Sequence, residues 1–159
     1  MYITTIYSNL SKNQKKKLNL FLKSNFDLKG NFEFEQMTII ILDLLDDVII
    51  ACLCLYDNKF LLDKLNLNNI STDNYLFHKN MHGCFIYNLC VDINHRNQKI
   101  GNNLLCYAMN KMKEINIEYL YTHAENDISR TLFIKNGFIE DKTFNSINNE
   151  NIYLMSKYL

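Results

Sequence analysis

The stretch from Cys84 to Ala124 constrains this chain most. Cys84–Asp92 (CFIYNLCVD) is an apolar, β-branched run and reads as a strand. A short polar stretch follows, and then Leu104, Leu105, Ala108, Met109 and Met112 recur on one face of a helix that starts near Gly101. Glu118–Ala124 is a second strand. Around this strand–helix–strand unit the chain adds strands at Tyr2–Tyr7, Met37–Leu42, Val48–Tyr56, Phe138–Phe144 and Ile152–Tyr158. Leu45-Asp46-Asp47 is a hairpin signal between the second and third of these, and the last two read as a closing antiparallel hairpin. Ser11 and Gln14 form a capping box ahead of Leu18, Phe21, Leu22 and Phe26 at helical spacing. Ser129–Lys135 reads as a short helix stopped by Asn136-Gly137. Asn58–His82 is the least readable segment, with a short helix around Phe60–Leu65 and then a polar loop. This element order belongs to an α/β or α+β protein with a mixed sheet, and 159 residues suit a single domain.

Composition excludes several function classes. Lys plus Arg is 17 and Asp plus Glu is 17, so no polybasic surface is available for nucleic acid, and nucleic acid is not an expected partner. No apolar run is long enough for a transmembrane helix, and Met1–Leu10 lacks the basic start and cleavage site of a secretion signal. The five cysteines, Cys52, Cys54, Cys84, Cys90 and Cys106, are an odd number, and four of them lie in apolar runs. Buried, reduced thiols in the cytoplasm are expected. Asn occurs 24 times in 159 residues, so a single Asn at a motif position carries little weight.

The chemistry concentrates in Leu89–Gly101 (LCVDINHRNQKIG): a strand, a polar loop with Arg96 and Lys99, and a glycine at a helix start. A helix N-terminus presents unpaired backbone N–H groups and the positive end of the helix dipole, and so can cradle a phosphate or pyrophosphate. The pattern is neither a Walker loop nor a dinucleotide-binding fingerprint. On spacing alone it is an anion cradle or simply a turn.

Leu89-x-Val91, then Arg96-x-x-x-Ile100-Gly101-x-x-Leu104-Leu105, resembles the acyl-CoA-binding motif of the GNAT superfamily of N-acetyltransferases. Asn126-x-x-Ser129-x-x-Leu132-Phe133-x-Lys135-x-Gly137-Phe138 is similar to a second block of that family, N-x-x-A-x-x-x-Y-x-K-x-G-F. The closing strand, with Met155, Lys157 and Leu159, and the order of elements match as well. The resemblance implies a mixed, mostly antiparallel sheet of six or seven strands with helices on both faces, and two parallel central strands that splay apart. It further implies that pantetheine pairs with the strand edge near Leu89 and Val91. By the same resemblance Arg96, Asn97, Gln98, Lys99, Ile100, Gly101 and Asn102 hold the pyrophosphate of acetyl-CoA, and Asn126, Ser129 and Phe133 complete the acetyl-CoA site.

Two residues depart from the family pattern. Lys99 occupies a loop position where the family has glycine, and a residue with a Cβ resists positive φ, so a reshaped loop is expected. Phe133 stands where the family usually has Tyr, the acid for the departing thiolate. The candidate catalytic residues are His123 and Tyr87. Transfer to an amine needs a proton acceptor, and imidazole suits that role at neutral pH. Strand alternation alone leaves open whether the two share a face; ordered water is the third option for the base. His78-x-x-x-His82-x-Cys84 has metal-like spacing but no fourth ligand, so no metal is expected. Phe32, Phe34, Tyr75 and Phe77 are candidates to line an acceptor groove, with the core as the alternative. The resulting expectation is a cytoplasmic, monomeric or homodimeric enzyme that moves an acetyl group from acetyl-CoA to a primary amine by direct attack in a ternary complex. The alternative is a catalytically weak or inactive CoA-binding module used for sensing or interaction.

Overall fold

The computed structural model describes residues 1–26, 34, 36–78, 80–146 and 149–159. The elements are β1 (Tyr2–Ile6), α1 (Lys12–Phe26), β2 (Ile39–Leu45), β3 (Val48–Asp57), α2 (Asn58–Leu67), β4 (Gly83–Val91), α3 (Ile100–Glu114), β5 (Tyr119–Ala124), α4 (Asp127–Lys135), β6 (Ile139–Asn145) and β7 (Asn151–Tyr158). The seven strands form one mixed, mostly antiparallel sheet in the order β1-β2-β3-β4-β5-β7-β6. By its contacts the chain divides into two compact units, Met1–Leu55 with Asn88–Ala108, and Tyr56–Tyr87 with Met109–Leu159.

In the first unit the capping box forms as its residue types require. Ser11 N–H donates to Gln14 Oε1 at 2.9 Å and Gln14 N–H to Ser11 Oγ at 3.2 Å. The helix so started buries Leu18, Phe21 and Leu22 against Ile40 and Leu42 of β2, Cys52 and Cys54 of β3, and Cys90 of β4. Alternation along β2 and β3 delivers those residues to one face. Fully burying a Leu stabilises by roughly 1.5–3 kcal/mol, so these contacts outweigh the weak intrinsic helix preference of a lysine- and asparagine-rich segment. The β2–β3 hairpin closes through Asp46 and Asp47, at φ 49° and 62°. Two consecutive left-handed residues are what a two-residue hairpin turn needs, and Asp tolerates that conformation better than most.

In the second unit β5 pairs antiparallel with β7, from Tyr119↔Tyr158 to Ala124↔Tyr153, and β7 pairs with β6. The β6 register shifts between Glu140 and Lys142, and almost all of β6 is exposed. The core gathers Tyr56, Leu61 and Leu65 of α2, Phe85, Tyr119, Tyr121 and Leu154. Gly83 lies flat against the Tyr119 ring; a Cβ there would come within 2.2 Å of that ring. The ring cannot swing away. Its hydroxyl donates to the Leu76 carbonyl at 3.1 Å and accepts from His78 N–H at 3.2 Å and from the Asn58 amide.

These bonds also order residues 68–78, which form a strap with no regular secondary structure beyond turns. The α2 helix is longer than the Phe60–Leu65 signal. Asp57 caps its N-terminus by accepting from Lys59 N–H, and Asn58 belongs to its first turn.

The end of α4 is a complete glycine-based cap. Gly137 sits at φ 80°. Its N–H donates to the Ile134 carbonyl at 2.9 Å, and Phe138 N–H donates to the Phe133 carbonyl at 3.1 Å. The Phe133 and Phe138 rings meet edge to face at 5.0 Å, the hydrophobic contact that accompanies this motif. No helix among the described residues is long and apolar enough to cross a membrane.

Candidate active site

The parallel pairing of β4 with β5 is short. It runs from Gly83↔Tyr119 to Ile86↔Thr122, although β4 continues to Val91 and β5 to Ala124. The last pair is sealed by a side chain: Thr122 Oγ1 donates to the Ile86 carbonyl at 3.0 Å in a buried setting. Tyr87 and His123 are the next residues on the two strands.

Contacts settle the facing that alternation left open. Phe85 touches both Tyr121, at 5.1 Å, and His123, at 5.0 Å, between ring centroids. Tyr87 lies 5.2 Å from Tyr56, which belongs to the same cluster as Phe85 and Tyr121. Tyr87 and His123 therefore share a face of the second unit.

His123 is held on three sides by Tyr75 at 5.0 Å, Phe85 at 5.0 Å and Phe144 at 5.3 Å. Its Nε2 meets the Asn74 carbonyl. Burial holds its pKa below the usual 6.5, and the Asn74 carbonyl opposes that shift. The ring is therefore neutral at pH 7. Tyr87 is 46% exposed.

In the first unit, Asp92 starts the turn after β4. Its carboxylate accepts from Asn94 N–H at 2.9 Å and contacts His95 Nδ1 at 3.0 Å, and these bonds hold its pKa low. Arg96 Nε donates to the Val91 carbonyl at 3.1 Å, folding the loop back on the strand end. Asn97 and Lys99 sit at φ 62° and 61°. Lys99 thus adopts the left-handed conformation despite its Cβ. Its carbonyl accepts the first helical bond of α3, from Asn103 N–H at 2.9 Å. The N–H groups of Ile100, Gly101 and Asn102 precede that bond, so the helix itself cannot use them. Gly101 is helical. Leu89 and Val91 are half-buried.

Asn126 and Ser129 have a structural task in addition to the ligand contacts expected of them. Asn126 caps α4: its Oδ1 accepts from Ser129 N–H at 2.9 Å, and Ser129 Oγ donates to the Asn126 carbonyl at 2.9 Å. Phe133 is buried, at 3% exposure. Of the groove candidates, Phe32 lies outside the described residues. Phe34 packs on Tyr7 at 5.0 Å in the first unit, while Tyr75 and Phe77 pack against the second unit's core. The metal-like trio is dispersed: His82 Nε2 pairs with Asp57, His78 Nε2 lies 3.3 Å from the Tyr158 hydroxyl, and Cys84 is buried. Burial pushes the Cys90 thiol up to about 12 and raises that of Cys84 as well, so neither is a thiolate at neutral pH.

A mixed sheet whose central parallel pair parts after four residue pairs, with a polar loop and a bare helix start following the first strand, is an acetyltransferase fold. The family model for the acetyltransferase (GNAT) family matches residues 7–138, and the chain belongs to that family. Solved structures agree on the fold. The NatC complex bound to Gag peptide and CoA is 16% identical, with a TM-score of 0.69 over 99% of this chain and 98% of that one. The ribosomal-protein-S18-alanine N-acetyltransferase from Escherichia coli is 11% identical, with a TM-score of 0.68 over 99% and 94%. The aminoglycoside 6'-N-acetyltransferase from Enterococcus faecium is 12% identical, with a TM-score of 0.67 over 98% and 96%. No curated protein sequence matches the chain.

Proposed function

We propose that residues 1–159 form one acetyltransferase domain that moves an acetyl group from acetyl-CoA to a primary amine by direct attack in a ternary complex. The observation that carries this reading is the β4–β5 pairing that stops at Ile86↔Thr122 while both strands continue. Backbone groups of β4 at Leu89 and Val91 would accept the pantetheine amides as an added strand does. Arg96, Asn97, Gln98, Lys99, Ile100, Gly101 and Asn102 would hold the pyrophosphate, with the α3 N–H groups and the Lys99 ammonium as donors. On the family pattern, Asn126, Ser129 and Phe133 are the remaining residues we assign to acetyl-CoA.

In the reaction the amine nitrogen forms a bond to the thioester carbonyl carbon, the C–S bond breaks, and the amine proton passes to a base. His123, neutral at pH 7, is our first candidate for that base, and Tyr87 is the second. The sulfur leaves as thiolate, which a thiol pKa of about 8.5 makes tolerable without a strong acid. Raised thiol pKa values at Cys84 and Cys90 speak against a covalent acyl-cysteine route. The solved relatives are named for a peptide, for an alanine of a ribosomal protein and for an aminoglycoside, so "primary amine" is the acceptor class we assign.

Phe133 favours a second reading, a CoA-binding module that has given up catalysis, because a phenyl ring cannot protonate a thiolate. Thiol release from acetyl-CoA over a broad amine panel, run beside thermal melts, tests both. Ligand at 100 times Kd stabilises by about 2.7 kcal/mol, a Tm rise of roughly 5–10 °C for this length. Turnover with at least one amine supports the enzyme, and a Tm rise without turnover supports the module. No Tm change at millimolar acetyl-CoA would overturn the donor assignment.

A further inference from the structure

We propose that Lys142 and the strap of residues 68–78 are positioning elements for His123, fixing its tautomer and the plane of its ring. The inference rests on the reading of His123 as the base, and deepens it. A carbonyl oxygen only accepts, so the contact between His123 Nε2 and the Asn74 carbonyl requires the hydrogen on Nε2. In a neutral imidazole the lone pair then belongs to Nδ1. Which nitrogen is basic is therefore decided by where the Asn74 carbonyl stands.

That carbonyl belongs to a segment with no helix or strand of its own, and side chains hold it in place. Lys142 Nζ donates to the Asp73 carbonyl at 3.3 Å and to Asn74 side-chain Oδ1 at 3.4 Å, one backbone and one side-chain acceptor next to the peptide that carries the Asn74 carbonyl. Farther along, Leu76 is pinned through its carbonyl by Asn58 Nδ2 at 2.9 Å and by the Tyr119 hydroxyl at 3.1 Å. Tyr75, between these anchors, lays its ring against His123 and against Phe85 at 5.5 Å. Two residues beyond Lys142 on β6, Phe144 meets the His123 ring edge to face. One strand thus supplies both a wall of the histidine's box and the ammonium that holds the strap above it. The anchors at Leu76, and a turn bond from Tyr75 N–H to the Thr72 carbonyl at 3.0 Å, would keep the strap folded without Lys142, but the turn would lose its tie to β6, the Asn74 carbonyl could shift off Nε2, and the ring could then carry its hydrogen on either nitrogen.

The test is a two-bond ¹H–¹⁵N spectrum of the full chain labelled at histidine, with His123 assigned by its loss in His123→Gln. Wild type should show His123 as a single species protonated at Nε2. Lys142→Met should give a mixture of the two neutral tautomers. It should also lower kcat about 10-fold, with KM for acetyl-CoA unchanged. Lys142→Arg should restore the single species. A wild-type ring protonated at Nδ1 would overturn the proposal without any variant, as would an unaltered tautomer in folded Lys142→Met. If the tautomers behave as stated while His123→Gln turns over at the wild-type rate, the positioning stands and the assignment of His123 as base falls.

Discussion

The hydroxyl of Thr122 donates to the carbonyl of Ile86 across the last pair of the β4–β5 ladder. A side chain of one strand satisfies a backbone acceptor of the other at the point where the strands cease to pair. Thr122→Val keeps the shape and removes the donor, leaving a buried carbonyl without that partner. We expect a loss of about 1–3 kcal/mol, read from denaturant melts, with Thr122→Ser near wild type.

Gly83→Ala should be more damaging than a surface Gly→Ala change. Its Cβ would enter the Tyr119 ring, which three hydrogen bonds hold in place. Overpacking of this kind costs about 1–3 kcal/mol, and at this chain length the Tm should fall by roughly 3–10 °C. An unchanged Tm would mean that the ring is not pinned.

Lys99 sits in the left-handed region without the freedom of glycine. A non-glycine residue there stores about 1–3 kcal/mol, and glycine adds about 0.5–1 kcal/mol of unfolded-state entropy. Lys99→Gly should therefore raise apo stability by about 1 kcal/mol. If the ammonium helps to hold pyrophosphate, the same change should weaken acetyl-CoA binding several-fold, with a smaller salt dependence of Kd. Titration calorimetry at two salt concentrations separates the two effects.

The depressed pKa of His123 sets the sign of two pH effects. With His123 as base, the acidic limb of kcat/KM should lie below pH 6.5, and His123→Ala should remove it at a cost of about 10²-fold or more. The unfolded chain, with its ordinary histidine pKa, takes up the proton first as the pH falls. The histidine's contribution is thus present above pH 6.5 and is lost as the pH drops through the folded-state value. Melts of wild type and His123→Ala between pH 5 and 7 should converge at the acid end.

Phe133→Tyr adds one hydroxyl to a buried ring whose backbone and edge are fixed by the α4 cap. If the ring tip faces the leaving sulfur, kcat should rise, up to the 10²–10⁴ range that a positioned acid can supply. An unpartnered hydroxyl would instead lower stability by about 1–3 kcal/mol and leave kcat unchanged. Stopped-flow thiol release and a melt on the same sample decide between the two outcomes.

Local chemistry made much of the fold legible. Ser11 with Gln14 and Asn136-Gly137 fixed helix ends because the residues that cap a helix lie within one turn of it. The Asp46-Asp47 turn was legible for the same reason. The strap was not, because its order comes from Tyr119, His123 and Lys142, residues more than 40 positions away in the chain. Nor was the loop conformation at Lys99, where the local preference of a residue with a Cβ runs against the φ adopted. The motif of the second block pointed to Asn126 and Ser129 as ligand contacts, yet their cap on α4 was equally written there, in an Asn three residues before a Ser.

The edge strand β6, at the opposite side of the sheet from β1, has consequences for handling the protein. Glu140, Asp141 and Lys142 lie together on it, and the register slips in their midst. A second chain offered this margin would have to desolvate three charges and match a kinked row of amides. Strand-by-strand stacking through this edge, of the kind that seeds ribbons and gels, should accordingly be resisted, even though the neighbouring strand β7 carries an apolar run at Leu154 and Met155.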